Sequence, residues 1–151
     1  MMDLTLQFFL ALFATLGFSI IFTVPAKCMV PCVVVGGLGW VVYQIVMFYQ
    51  QSPILACFLA ACLVGLLSDI CSHIFKDAST IFIIPGILCL VPGSNIFKTM
   101  EALLRHDVSN TASIGSETLL MAGAIATGLL VIGAVSRVVL AVIKKTMKKV
   151  I

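Results

Sequence analysis

The chain has 151 residues, of which 62% are hydrophobic and only 10% are charged, and its mean hydropathy is +1.23. Soluble domains are closer to half apolar and a quarter charged, so this composition predicts an integral membrane protein. The net charge of +3 is small and comes mostly from a lysine-rich tail, which indicates a membrane-facing anchor and excludes a basic nucleic-acid-binding surface. We expect residues 1–151 to form a single transmembrane domain.

Apolar segments of membrane-spanning length recur along the chain, since a transmembrane helix needs about 20 mainly apolar residues. Pro25 ends the first segment, and Pro53 suits the first position of the third. The fourth segment is short, so a re-entrant hairpin is the alternative to a full crossing there. The sequence therefore predicts an all-α membrane protein with about five transmembrane helices, at about residues 4–24, 31–48, 54–74, 78–91 and 118–143. Residues 96–108 alternate apolar and charged faces at helical spacing, which predicts an amphipathic surface helix.

The fourth apolar segment carries two potential helix breaks, Pro85-Gly86 and Pro92-Gly93. Proline lacks a backbone N–H and glycine is a poor helix former. Hydrocarbon cannot satisfy the freed backbone groups, so a break at membrane depth persists only in a protein interior or beside a water-filled cavity. Interrupted helices point to the binding site of a secondary transporter.

The second break predicts a substrate-binding site. If a half-helix starts after it, its N–H groups and dipole favour an anionic group such as a carboxylate. An ordinary loop with a capped helix is the alternative. The predicted site residues are Pro92, Gly93, Ser94 and Asn95.

Three ionisable side chains within or near apolar segments could line a proton or substrate path. Asp69 lies about one turn inside the third helix, and His73 follows it at i+4. Glu117 stands at the start of the last helix. The alternatives are that Asp69 and His73 are solvated at the membrane interface and that Glu117 only complements the helix dipole.

No catalytic residue, metal site or cofactor is expected, and we expect the chain not to be an enzyme. The six cysteines lie mostly in apolar runs without zinc-ligand spacing, so they are expected to act as small hydrophobic residues. No nucleotide-binding or hydrolase motif is present in the sequence. Small residues are frequent in two helices, which predicts close helix packing either within the chain or with a partner. They are Gly36, Gly37, Gly39, Ala122, Gly123, Ala124, Ala126, Thr127 and Gly128.

Lysine and arginine near the helix ends predict the orientation. With five crossings, seven basic residues fall on one side: Lys27, Lys76, Arg137, Lys144, Lys145, Lys148 and Lys149. Lys98 and Arg105 fall on the other. This distribution predicts a cytoplasmic C-terminus and an external N-terminus, whereas a re-entrant fourth segment would place Lys27 and Lys76 opposite the tail.

Two motifs resemble a known transporter family. The segment LCLVPGSNIF at 88–97 resembles the Leu-Val-Pro-Gly-Ser signature of the threonine/serine exporter family, with Cys89 where that signature is expected to have proline. Residues 17–25 resemble the first-helix pattern of the same family. The length of the chain is similar to that of the short, membrane-only subunit of split members.

The resemblance implies half of an inverted-repeat transporter. It also implies a longer partner subunit with a cytoplasmic N-terminal domain and about five helices. The expected function is export of threonine, serine or small carboxylates across the cytoplasmic membrane, driven by the proton gradient. The alternatives are a non-transporting membrane scaffold or assembly subunit, a small homo-oligomeric channel, and a homo-oligomeric transporter without a partner.

Overall fold

The protein is described by a computed structural model, which covers the backbone of residues 4–150 and the side chains of 5–136 and 138. The described backbone contains helices and no strands, which confirms the all-α expectation. The helices are α1 (Leu4–Ile21), α2 (Ala26–Gln50), α3 (Pro53–Phe75), α4 (Thr80–Leu88), α5 (Gly93–Leu104) and α6 (Val108–Val150).

Among the residues that the structure describes, three helices are long and apolar enough to cross a membrane: α2, α3 and α6 over Val108–Ser136. α4 and α5 form a pair bent by 53°, which counts as one further broken span. α1 is also apolar but shorter, since its described segment Thr5–Ile21 is about 26 Å long at 1.5 Å per residue. The five predicted segments thus correspond to three long helices, one bent pair and the short α1.

The last helix begins at Val108, ten residues before the predicted start at 118. Asp107 caps it, because its Oδ1 accepts a hydrogen bond of 3.1 Å from the Asn110 backbone N–H. This bond and the Asn110 side chain hold the pKa of Asp107 below its usual value. The polar stretch 108–117 is therefore helical, and the amphipathic helix α5 ends earlier than predicted, at Leu104.

The predicted break at Pro85-Gly86 is wrong, since both residues lie inside α4. Pro85 removes the hydrogen bond that the Ile81 carbonyl would otherwise accept. The Cys32 thiol of α2 donates to that carbonyl instead, at 3.4 Å. Pro31 likewise lies inside α2, close to its start, so α2 begins at Ala26 and not at the predicted residue 31.

Two glycines lie at the contact between α3 and α6 and show how these two helices run relative to each other. A Cβ at Gly128 of α6 would lie 2.9 Å from the Phe58 carbonyl oxygen of α3. Gly65, further along α3, faces Ile132, further along α6, so α3 and α6 run parallel. Because α3 and α6 run in the same direction, the chain has to return from the end of α3 to the opposite end of the bundle before α6 begins. The bent pair α4–α5 makes this return.

A clamp ties the first turn of α2 to the α3–α4 loop at one end of the bundle, here called the Asp77 end. The Asp77 carboxylate lies 2.8 Å from the Lys27 ammonium and accepts a 3.1 Å hydrogen bond from the Cys28 thiol. The Ser72 hydroxyl donates to the Asp77 carbonyl at 2.5 Å. The Lys27 ammonium holds the pKa of the Asp77 carboxyl below its usual value. The opposite end carries the α2–α3 turn before Pro53 and is called the Pro53 end.

This arrangement places Lys27 and Lys76 at the end toward which α6 runs. Arg137 and the four tail lysines lie outside the residues whose side chains the structure describes. The core has two parts. One, at the Asp77 end, contains Val24, Cys28, Cys32 and Phe82. The other lies at the centre and contains Val35, Cys57, Ala60, Ala61, Val64, Leu90, Met121, Ala124 and Ile125.

Candidate functional site

The helix break lies near the middle of the bundle. α4 ends at Leu88, and a tight turn around Pro92 joins the Gly93 N–H to the Val91 carbonyl at 2.7 Å. Leu90, within this turn, lies 3.8 Å from the Cβ position of Gly39, close to the centre of the 25-residue α2. The predicted interruption at Pro92-Gly93 is therefore present, directly after a residue that is level with the centre of α2.

Most of the first backbone amides of α5 already have partners. The Asn95 and Ile96 N–H groups donate to the Pro92 carbonyl at 3.1 and 3.0 Å, and the Gly93 N–H is bonded as described above. The helix N-terminus alone is therefore a poorer anion site than the sequence suggested, because few orphan N–H groups remain. Side chains around the break would have to supply most of the hydrogen-bond donors for any anion there.

A cleft of about 530 Å³ opens beside the break and is called the bend cleft. It brings together the four residues predicted around the break and Glu117, which comes from α6. A Cβ at Gly93 would meet no other atom within 4 Å, so the backbone there faces open space. The lining residues are Trp40, Tyr43, Met47, Pro53, Cys89, Leu90, Val91, Pro92, Gly93, Ser94, Asn95, Glu117 and Met121.

The bend cleft combines an aromatic wall with a few polar groups. Trp40 and Tyr43 stack with ring centroids 5.3 Å apart and an interplanar angle of 25°. The Asn95 side-chain amide donates to the Met121 sulfur at 3.6 Å. Glu117 is the only charged residue among those that line the cleft. A pocket of this kind, with an aromatic wall and several placed polar groups, is typical of a small-molecule site.

Asp69 and His73 lie in a second cleft of about 390 Å³, here called the Asp69 cleft. It lies where the C-terminal half of α3 meets the start of α4 and the second half of α6, toward the Asp77 end. The structure therefore brings Asp69 and His73 together, as predicted, but keeps both apart from Glu117 and the break. The lining residues are Gly65, Asp69, Ser72, His73, Ser79, Thr80, Ile83, Leu129, Ile132, Gly133 and Ser136.

The sequence did not identify Trp40, Tyr43 and Cys89 as lining residues. Trp40 is the single tryptophan of the chain and lies beside Gly39 in an apolar helix. This position could have marked it as a candidate lining residue. Cys89 could not be placed from sequence, because its partner is distant. Its sulfur lies 3.1 Å from the Thr15 hydroxyl of α1, which itself donates to the Ala11 carbonyl at 2.8 Å.

Comparisons with known proteins agree with the motifs around the break. Residues 7–135 match the protein family described as "Threonine/Serine exporter, ThrE". A protein of Haemophilus influenzae, described as uncharacterized, is 26% identical over 105 residues, which is 70% of this chain and 35% of that protein. The chain thus spans about a third of the length of this relative. No solved structure matches the chain.

Proposed function

The chain belongs to the threonine/serine exporter family, and from that premise we propose that it is one subunit of a secondary transporter whose substrate binds in the bend cleft. Membership of the family makes it a multi-pass membrane protein with an exporter-type transport role. The proposed substrates are threonine, serine or small carboxylates, exported across the cytoplasmic membrane.

One observation carries the proposal: a helix broken at the centre of the bundle opens onto a cleft that holds polar side chains from two helices. Broken helices near the membrane midplane form substrate sites in secondary transporters. Ser94 and Asn95 would hydrogen-bond the substrate carboxylate, and the Trp40–Tyr43 wall would pack against its small side chain.

We propose that Glu117 couples export to protons. A carboxylate in this cleft can bind either a proton or the ammonium group of an amino acid, and the two forms exclude each other. Such competition at one group exchanges substrate for protons, as an antiporter requires. Asp69, in the other cleft, would accept or release the proton on the way to the Asp77 end.

A longer partner subunit is proposed to cover the Asp69 cleft. An ionisable side chain that faces lipid is energetically costly, so Asp69 is expected to be shielded from lipid by another protein segment. Small residues on the exposed face of α6 allow a close helix contact, since nothing lies within 4 Å of a Cβ at Gly123. The 105 matched residues are 35% of the Haemophilus influenzae relative, so that relative is about twice as long as this chain and carries enough additional chain for a second bundle. The partner would have a cytoplasmic N-terminal domain and about five helices.

The orientation proposed from the charges has the N-terminus outside and the C-terminus in the cytoplasm. The Asp77 end would then face the cytoplasm, with Lys27 and Lys76 on that side, as the positive-inside rule expects.

The test is counterflow of labelled threonine and labelled succinate in liposomes that contain the chain and its partner. Gly93→Leu and Asn95→Leu are expected to abolish flux, because leucine fills the cleft in the first and removes a hydrogen-bonding group in the second. Phe97→Leu is the matched control, since Phe97 is 70% exposed on α5 and outside the cleft.

Normal export by both cleft variants would overturn the site assignment. No flux by the native complex would favour a scaffold, and flux that neither saturates nor responds to a proton gradient would favour a channel.

A further inference from the structure

The two clefts lie along the same groove of the bundle. α4 and α6 both pack on α3, and in the described part of the chain they do not pack on each other. The bend cleft takes Leu90 from the turn directly after α4 and Met121 from α6. The Asp69 cleft takes Ile83 from α4 and Leu129 from α6. Residues from α6, and from α4 or the turn after it, therefore line both clefts. The Asp69 cleft is nearer the Asp77 end, and the bend cleft is nearer the Pro53 end.

One residue of each helix lies between the clefts. Ile83, Ile87 and Leu90 follow i, i+4, i+7 spacing, and the Val91 N–H beyond the end of α4 still donates to the Ile87 carbonyl at 3.2 Å. Ile87 therefore lies between Ile83 and Leu90 on one side of this segment. By the same spacing, Ile125 lies between Met121 and Leu129 on α6. Ile125 is only 7% exposed, and Ile87 packs against the central core cluster that contains it.

We propose that Ile87 and Ile125 form a hydrophobic constriction that closes one continuous transport path between the Asp69 cleft and the bend cleft. The proposal rests on the proposed function, because the path would carry its substrate. Met121 and Leu129 are eight residues apart, so the barrier is about 12 Å long at 1.5 Å per residue. Two branched apolar side chains exclude water over this distance, and a charged solute cannot pass without losing its hydration.

Thiol labelling tests the constriction without any substrate. Ile83→Cys, Ile87→Cys and Val91→Cys are introduced singly into the full chain with its partner, in membrane vesicles of both orientations. A charged methanethiosulfonate reagent is added outside, and mass spectrometry of the labelled peptide separates the new thiol from the native ones. We expect Ile83→Cys and Val91→Cys to react from opposite sides, since Val91 lines the bend cleft and is 41% exposed, and Ile87→Cys to react several-fold more slowly from either side. Adding Ile125→Ala should raise the labelling of Ile87→Cys several-fold.

A leak assay tests the same constriction in transport. Ile87→Ala and Ile125→Ala are expected to raise gradient-independent efflux of labelled threonine or succinate from liposomes several-fold. Ile84→Ala and Leu130→Ala are matched controls, since Ile84 is 43% and Leu130 is 72% exposed on other faces of the same helices. Both controls should leave efflux unchanged.

Rapid labelling of Ile87→Cys in the otherwise native chain would overturn the constriction. Unchanged labelling and efflux in correctly folded Ile125→Ala would also overturn it. If the native complex moves neither solute, the proposed function fails, but the labelling pattern still decides whether the constriction exists.

Discussion

The chain contains two proline–glycine pairs seven residues apart, and they behave differently. Pro85-Gly86 lies inside α4, whereas Pro92-Gly93 separates α4 from α5 at a 53° bend. At the first pair, a thiol from α2 supplies the hydrogen bond lost at Ile81. At the second pair, the chain turns and the glycine faces open space. The same dipeptide therefore ends a helix only where neighbouring helices neither replace its lost bond nor pack against its glycine.

The two glycines serve opposite purposes. A Cβ at Gly86 would lie 3.1 Å from Val64 Cγ1 and 3.3 Å from Val35 Cγ1, so this glycine allows α4 to pack closely between α2 and α3. No atom lies within 4 Å of a Cβ at Gly93. Gly86 therefore permits close packing of three helices, and Gly93 leaves room beside the break.

The largest expected effect comes from replacing each of these two glycines with the same large side chain. Gly86→Leu should destabilise the protein by about 3 kcal/mol, because the side chain overpacks a buried contact between three helices. Gly93→Leu should leave stability nearly unchanged while it abolishes export. Thermal unfolding in detergent, measured beside counterflow, checks both. Equal unfolding temperatures for the two variants would contradict the difference in packing between Gly86 and Gly93.

A smaller effect is expected from the thiol that supports the first pair. Cys32→Ala leaves the part-buried Ile81 carbonyl without its donor, which should cost about 1 kcal/mol. Cys32→Ser keeps a donor at the same position and should recover part of this loss. Unfolding in detergent measures both variants against the native chain. If alanine and serine were equally destabilising, the hydrogen bond would have no part in carrying the helix past Pro85.

The smallest effect is expected from acid at the Asp77 clamp. Lys27 lowers the pKa of Asp77, so the clamp stabilises the folded state at pH values above the ordinary carboxyl range near about 4. This contribution is lost as the pH falls through the lowered pKa. Unfolding temperatures between pH 6 and 3 should therefore fall more for the native chain than for Asp77→Asn. Parallel curves for the two proteins would contradict a role for the clamp.

Parts of the candidate site could be predicted because they depend on neighbouring residues. Ser94 and Asn95 after Pro92-Gly93 compete with the backbone for hydrogen bonds, which favours a break and a new helix start there. Asp69 and His73 are one helical turn apart, so they share a cleft. Glu117 could be singled out as an acid near an apolar helix, but its position opposite the break required the packing of α5 against α6.

The sequence alone determined the class of the protein, its helical character and the interruption at Pro92, because hydrophobic length and proline chemistry act locally. It also predicted close contacts at small residues, without saying which were internal. Only the tertiary structure decided that α4 continues through Pro85, that Trp40 and Tyr43 form a wall of the bend cleft, and that Asp69 and Glu117 lie in separate clefts. These features depend on contacts between residues far apart in the chain, such as Cys32 with Ile81, and a pattern of nearby residues carries no information about such distances.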